Sequence, residues 1–158
     1  MSRTAQQNAY IQQIREFPTK LKGVLAEIPA EHLDKRVGEG EWSVRQIVHH
    51  LVDSHCFAVY RVHLPLFNDK PALPEWERDD YARQADYALP IDNPLALLVT
   101  LHERLATMFE AMTPDQWTRI GMHQTRGEMT VEQLCALYAG HGEVHLKQIA
   151  DIRAVHGF

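Results

Sequence analysis

The sequence predicts an all-α protein folded as a bundle of four helices. Apolar residues recur at helical spacing in four stretches, and no stretch shows the alternation of a convincing β-strand. The chain has 158 residues, of which 45% are hydrophobic. A single domain over residues 1–158 can therefore bury a sizeable core.

Composition argues against several classes of partner. The formal net charge is −5, and no run of Lys and Arg forms the basic surface that nucleic-acid binding requires. No apolar run approaches the roughly 20 residues of a membrane span, and the first residues are polar, unlike a secretory signal. We expect a cytoplasmic protein with no nucleic-acid or membrane partner. Cys56 and Cys135 form no CxxC pattern, so we expect two free thiols in the core.

The first helix is expected over residues 4–28. Its apolar residues recur at steps of three, four and seven, at Ile11, Ile14, Leu21, Leu25 and Ile28. Pro18 falls inside this pattern, and because proline has no N–H, a kink or a break is expected there.

The second helix is expected to begin after Ser43. In the run EWSVRQI, Ser43 is the N-cap and Gln46 the reciprocal partner of a capping box, while Trp42 and Ile47 are placed to form a hydrophobic staple. The helix is expected to end between Leu64 and Phe67.

The third helix is expected over residues 93–112, with Pro94 at its first position. The acidic, Pro-rich residues 68–92 connect it to the second helix. A helix of roughly 22 residues is about 33 Å long, and an extended chain spans that distance in about ten residues. The connection is therefore a long crossover that can leave helices two and three parallel.

The fourth helix is expected to begin after Thr130. The run EMTVEQL almost repeats EWSVRQI, with Thr130 and Gln133 as a second capping box. The likeness is either a weak internal repeat or two good caps that arose by chance. Residues 121–128 before it predict a turn or a small hairpin.

Two histidines of the fourth helix lie on its apolar stripe. That stripe is Val131, Leu134, Tyr138, Ile149 and Ile152, and steps of three and four carry it through His141 and His145. Both rings are therefore expected to face the interior. The intervening sequence HGEVH differs from the zinc-protease motif HExxH, because Gly142 stands where that motif has its glutamate. Glu143 is expected to be solvated.

A third inward histidine is predicted on the second helix. Ile47, Leu51 and Ser54 define its inward face, and His50 lies on that face. His49, His55 and His63 are expected off this face. His32, His123 and His156 fall in loops or at the chain end and are expected at the surface.

The three inward histidines predict a metal site. Burying an imidazole without a partner costs about one to a few kcal/mol, and a divalent cation bound by His50, His141 and His145 removes that cost. Three protein nitrogens with open positions are typical of a catalytic metal site. The alternative is that the rings are solvated or hydrogen-bonded, since an isolated i,i+4 pair is weak support.

Two further residues are candidate catalytic groups. Asp53 lies one turn after His50 and can accept the N–H of a ligand and fix its tautomer, or it forms an ordinary surface contact. His102 lies on the inward stripe of the third helix. It is a fourth ligand, a general base, or a buried hydrogen-bonded histidine.

The run WSVRQIVHHLVDSH, residues 42–55, resembles the signature of the DinB-like superfamily, and of its YfiT-like branch in particular. The late run LYAGHGEVHLKQI, residues 137–149, resembles the second signature of that branch. The resemblance implies a four-helix bundle with an up-down-down-up path. It also implies a metal site at His50, His141 and His145, with zinc or nickel as the metal, and a possible homodimer.

That branch contains metal-dependent hydrolases and bacillithiol-type S-transferases. The resemblance therefore implies a metal-dependent enzyme for small molecules, which transfers a low-molecular-weight thiol to an electrophilic substrate. Hydrolysis by a metal-activated water and a non-catalytic metal-binding stress-response protein remain alternatives. Arg45 and Arg61 are expected to hold a carboxylate of a thiol cofactor or to be solvated. Trp76 and Tyr81 of the crossover are expected to cover the site as a lid, or only to pin the loop.

Overall fold

A computed structural model describes residues 3–158 and contains four long helices. These are α1 (Ala5–Ala26), α2 (Val44–Phe67), α4 (Asp92–Glu110) and α6 (Val131–His156). Two short helices, α3 (Arg78–Tyr81) and α5 (Pro114–Trp117), lie in the connections, with strands β1 (Ala72–Leu73), β2 (Ile120–His123) and β3 (Gly127–Thr130). The four predicted helices are confirmed, each within about two residues at its start.

Capping boxes fix where three of the long helices begin. Ser43 accepts the backbone N–H of Gln46, whose side chain accepts the Ser43 N–H in return. Thr130 and Gln133 form the same pair at the start of α6. Each box satisfies two backbone donors that would otherwise be unpaired. Helix α4 has no such side-chain cap, and it begins at Asp92, so Pro94 is its third residue and not its first.

Helix α1 continues through Pro18, so the expected break does not occur. The side chain of Pro18 is buried, as are those of its neighbours Ile14, Phe17 and Leu21. Packing on both sides of the proline holds the two halves in one helix. The missing N–H of Pro18 leaves the carbonyl of Ile14 without its usual partner four residues along the helix.

The helices follow the up-down-down-up path. A first core cluster joins the N-terminal halves of α1 and α6 to the C-terminal halves of α2 and α4, for example through Ile11, Leu134, Val62 and Phe109. A second core cluster joins the opposite halves, with Leu25, Ile152, Val44 and Leu98 among its members. Therefore α1 and α6 run in one direction, and α2 and α4 run together in the other. The long crossover makes this parallel pair possible, as predicted.

A small three-stranded sheet closes one end of the bundle; it contains the small hairpin that residues 121–128 predicted as an alternative to a turn, and one strand from the crossover that was not expected. Strands β2 and β3 form an antiparallel hairpin, and β1 from the crossover pairs with β2 in parallel. Gly127, with φ of +73°, adopts the left-handed conformation that the tight turn requires. Strands of two to four residues are too short to show alternation in sequence, so the turn residues of the hairpin were its only signal and β1 had none.

Two smaller findings complete the fold. Both cysteines are free, but Cys56 is exposed and only Cys135 is in the core. Within residues 3–158 no helix combines the length and apolar character needed to cross a membrane.

Candidate metal centre

His50 of α2 and His141 and His145 of α6 lie together in the bundle interior. Each offers one ring nitrogen, and these nitrogens all lie within 4.8 Å of one another. The Nε2 atoms of His141 and His145 are 3.0 Å apart, and those of His50 and His141 are 3.5 Å apart. The structure thus brings together the three rings that helical spacing placed on inward faces; their role as ligands stays a prediction.

All three imidazoles are neutral near pH 7. Burial is the main cause that lowers the pKa of His50 to about 2 and that of His141 to about 3. The positive charge of Arg78, and the charge that the neighbouring histidines would carry if protonated, also contribute to lowering both pKa values. Burial also lowers the pKa of His145, against a smaller opposing effect of the hydrogen bond to Gln148. A neutral imidazole has one nitrogen with a free lone pair, which is the form that binds metal.

Contacts around the rings turn their Nε2 atoms toward one another. The Nδ1–H of His145 donates to Gln148 Oε1 at 2.7 Å, which leaves the lone pair of His145 on Nε2. The ring of His50 lies between two indoles, 4.4 Å from that of Trp42 and 5.4 Å from that of Trp76 by their centroids. His50 Nδ1 is buried and has no hydrogen-bond partner within residues 3–158.

This donor set fits a divalent cation. Three neutral imidazole nitrogens suit zinc, nickel, copper or iron. Ring nitrogens facing one another at 3.0 to 3.5 Å are stabilised when a cation lies between their lone pairs. The unpartnered Nδ1 of His50 can carry the proton of that ring, and its Nε2 is then free to coordinate.

His55 is fully buried beside the centre, which corrects its expected position off the inward face. Its Nε2 lies 3.0 Å from Nδ1 of His141, and its Nδ1 lies 2.6 Å from Nε2 of His102. The Nδ1 of His102 in turn lies 2.6 Å from the Ile14 carbonyl oxygen. His102 is thus a buried hydrogen-bonded histidine, one of its three predicted alternatives.

The burial of His55 was predictable from sequence, but only if α2 is given two buried faces instead of one. Helix α2 packs against both α4 and α6, so two of its faces are buried. Steps of four and three residues link the buried positions Val44, Val48, Leu51, His55, Ala58 and Val62. His55 belongs to this second stripe, and His50 to the first.

Asp53 makes the ordinary hydrogen bond that was one of its two predicted alternatives. Its carboxylate accepts the hydroxyl of Tyr87 at 2.6 Å, and no ligand histidine donates to it. Burial and this carboxylate raise the pKa of Tyr87 well above its usual value. The partner that orients a ligand N–H is instead Gln148, which sequence reasoning missed. A catalytic role for Asp53 stays an untested prediction.

Arg45 and Arg61 are held by other groups. Arg45 pairs with Asp34 through two nitrogens, at 2.8 and 3.0 Å. Arg61 is buried, donating to the Pro74 carbonyl at 2.7 Å and to the Tyr138 hydroxyl at 3.1 Å. Neither lines the cavity beside the histidines, and binding of a thiol cofactor by these two residues stays an untested prediction.

The expected surface histidines include one exception. His123 is buried, with Nδ1 2.7 Å from a Glu75 carboxylate oxygen, because the sheet folds β2 against the crossover. His156 is exposed as expected, and His32 is half-buried, stacked on Phe158. Trp76, on the crossover, stacks on His50 and Phe57 and meets the edge of Tyr81. It therefore covers one side of the centre and also pins the loop.

A cavity of about 970 Å³ opens beside His141 and His145. The charged residues of its lining are Arg36, Glu41, Arg78, Asp79, Arg83 and Asp151. Arg78 lies over the ring of Trp42, 5.9 Å from its centroid, and forms no ion pair within residues 3–158. A small polar molecule can therefore reach the centre from this side.

Comparison with known proteins agrees with this geometry. The model of the DinB superfamily matches residues 13–149. The chain belongs to the DinB superfamily. Relatives of this DinB chain carry the name "Putative metal-dependent hydrolase". One from Geobacillus thermodenitrificans is 37% identical over 151 residues, which cover 94% of this chain and 85% of the relative. Another, from Oceanobacillus iheyensis, is 32% identical over 145 residues, covering 92% and 84%.

Two solved structures resemble this DinB chain. YfiT from Bacillus subtilis, described as a probable metal-dependent hydrolase with an unusual four-helix bundle topology, has a TM-score of 0.92 at 30% identity. That match covers 99% of this chain and 91% of YfiT. A mycothiol-dependent maleylpyruvate isomerase has a TM-score of 0.73 at 13% identity, covering 94% and 65%, which shows a shared fold alone.

Proposed function

We propose that this DinB chain is a divalent-metal-dependent enzyme that hydrolyses a small molecule at His50, His141 and His145. The observation that carries the proposal is the convergence of three neutral imidazoles, two buried and one partly buried, beside an open cavity of about 970 Å³. The names of relatives that are 30% or more identical support hydrolysis as the reaction.

Each part of the site has a role in this proposal. The three histidines would hold the metal, which when bound supplies a Lewis acid that lowers the pKa of a bound nucleophile. Gln148 orients His145, and the indoles of Trp42 and Trp76 keep water from His50. Arg78, whose positive charge lies close enough to lower the pKa of all three histidines, can bind an anionic group of the substrate.

Thiol transfer is the second candidate. In that reaction the sulfur of a low-molecular-weight thiolate forms a bond to an electrophilic carbon, and the leaving group departs with its electron pair. Arg36 and Arg78 around the cavity favour it, because guanidinium groups bind the carboxylates that small thiols such as glutathione carry. The third arginine of the lining, Arg83, pairs with Asp80.

Elemental analysis of untagged protein tests the metal centre. We expect about one zinc or nickel ion per wild-type chain, and little metal in the His50→Ala and His141→Ala variants. The matched control is His49→Ala, since His49 neighbours His50 but contacts the Leu89 carbonyl and Tyr87 instead. Full metal content in both ligand variants would refute the assignment.

Activity assays on metal-loaded protein then separate the reactions. Turnover of nitrophenyl esters without a thiol supports hydrolysis. Turnover of a chloro-dinitro arene only with bacillithiol, mycothiol, glutathione or cysteine supports thiol transfer. Stoichiometric metal with neither activity favours the non-catalytic metal-binding protein.

A further inference from the structure

We propose that the carbonyl of Ile14, left without a helical partner by Pro18, sets the tautomers of His102, His55 and His141 and so directs the Nε2 lone pair of His141 into the metal centre. We call His102, His55 and His141 the imidazole relay. Its connection to metal binding rests on the proposed function, whereas the tautomers themselves do not. His102 and His55 are positioning residues in this proposal.

The relay begins at the carbonyl oxygen of Ile14, which can accept a hydrogen bond but cannot donate one. In an α-helix the carbonyl of Ile14 would accept the N–H of residue 18, but residue 18 is Pro18 and has no N–H. Nδ1 of His102 lies 2.6 Å from this oxygen. A carbonyl oxygen can only accept, so the proton of this hydrogen bond is on His102 Nδ1.

The donor at His102 then determines which nitrogen donates and which accepts in each following ring. His102 is buried and has no carboxylate partner in the described part of the chain, residues 3–158. A neutral imidazole carries one N–H, so its Nε2 must accept. The donor to it, at 2.6 Å, is Nδ1 of His55. Nε2 of His55 therefore accepts from Nδ1 of His141 at 3.0 Å. Nε2 of His141 is left with a lone pair, 3.0 Å from that of His145. The reverse order would require the Ile14 carbonyl to donate.

Packing holds the rings of the relay in these orientations. The rings of His55 and His102 stack with centroids 4.6 Å apart. Phe17, next to Pro18, stacks on His102 at 5.3 Å, and Tyr138 meets His55 edge-on at 5.6 Å. His55 and His102 are both buried, so water cannot easily replace the hydrogen bond between them. His141, the last ring of the relay, borders the cavity.

Long-range proton–nitrogen correlation spectra of metal-free protein with labelled histidines test the tautomers directly. We expect the Nδ1–H tautomer for His102, His55 and His141. The Nε2–H tautomer on His55 or His141 in wild-type protein would overturn the proposal. This measurement needs no metal, so it decides the relay even if the proposed metal centre is wrong.

Two substitutions at His102 test the link to metal binding. In His102→Gln the amide can donate to the Ile14 carbonyl and accept from His55, so we expect zinc affinity within a few-fold of wild type. In His102→Leu the relay loses its fixed end. We expect His141 to take up the Nε2–H tautomer in part, and zinc to bind about 10- to 100-fold more weakly.

His123→Leu is the matched control, since His123 is buried but pairs with Glu75 outside the relay. We expect its zinc affinity to be unchanged, whatever its effect on stability. Equal zinc affinities of His102→Leu and wild type would overturn the role of the relay. If His102→Leu does not fold, the wild-type spectrum and the His102→Gln affinity still decide the matter.

Discussion

At the scale of single residues, the centre depends on which ring nitrogen carries each proton. Two different hydrogen bonds determine the position of the proton: Gln148 accepts from Nδ1 of His145, and His55 of the imidazole relay accepts from Nδ1 of His141. We expect Gln148→Leu to weaken zinc binding about 10-fold or more, because the Nδ1–H of His145 loses its acceptor and the ring its orientation. Titration of metal-free protein with zinc, against a competing chelator, measures this.

Two variants sharpen that prediction. Gln148→Glu keeps an acceptor at the same place and should retain wild-type affinity or exceed it. Lys147→Met changes an exposed neighbour whose one ion-pair partner within residues 3–158 is Asp151, and it should have no effect. Wild-type affinity in Gln148→Leu would mean that packing alone orients His145.

At the scale of helices, α1 and α6 approach each other closely at Gly142, the residue that follows His141 of the relay. A Cβ added at Gly142 would lie 2.3 Å from Cδ2 of Phe17, the ring that stacks on His102. We expect Gly142→Ala to destabilise the protein by about 1 to 3 kcal/mol, because buried Phe17 must move. Urea unfolding monitored by circular dichroism measures the change.

Gly140→Ala is the matched control on the same helix. Apart from its chain neighbours and the nearby backbone of α6, no heavy atom of residues 3–158 lies within 4 Å of its added Cβ. Replacing this glycine in the helix interior should therefore stabilise the protein by up to about 1 kcal/mol. Equal stabilities of the two variants would show that Phe17 yields without cost.

Helix positions and inward faces were readable from sequence because they follow local rules. The capping residues Ser43 and Thr130 predicted where α2 and α6 begin. The helical periodicity predicted that His50, His141 and His145 face inward. His55 was missed because a helix packed on two sides has two stripes, and the sequence does not say how many neighbours a helix has. The contacts of Ile14 with His102 and of Asp53 with Tyr87 depend on tertiary packing, which no local pattern records.

At the scale of the whole molecule, burying His50, His55, His102, His141 and His145 makes the stability of metal-free protein depend on pH. Burial lowers the folded-state pKa of each, to about 2 for His50, about 3 for His141 and about 4 for His102. In the unfolded chain the same groups titrate near ~6.5. Below that pH the unfolded state binds protons that the folded state does not bind. The free energy of unfolding is therefore highest above pH ~6.5 and decreases as the pH falls below that value.

The expected slope below pH ~6.5 is up to about 1.4 kcal/mol per pH unit for each buried histidine. Urea unfolding with a chelator present, at several pH values between about 8 and 4.5, measures it while most carboxylates remain ionised. His102→Gln removes one titrating ring but keeps the hydrogen bonds, so its slope should be shallower by up to about 1.4 kcal/mol per pH unit. A wild-type stability that is flat across this range would mean that the rings accept protons in the folded state. That result would contradict the neutral cluster on which metal binding depends.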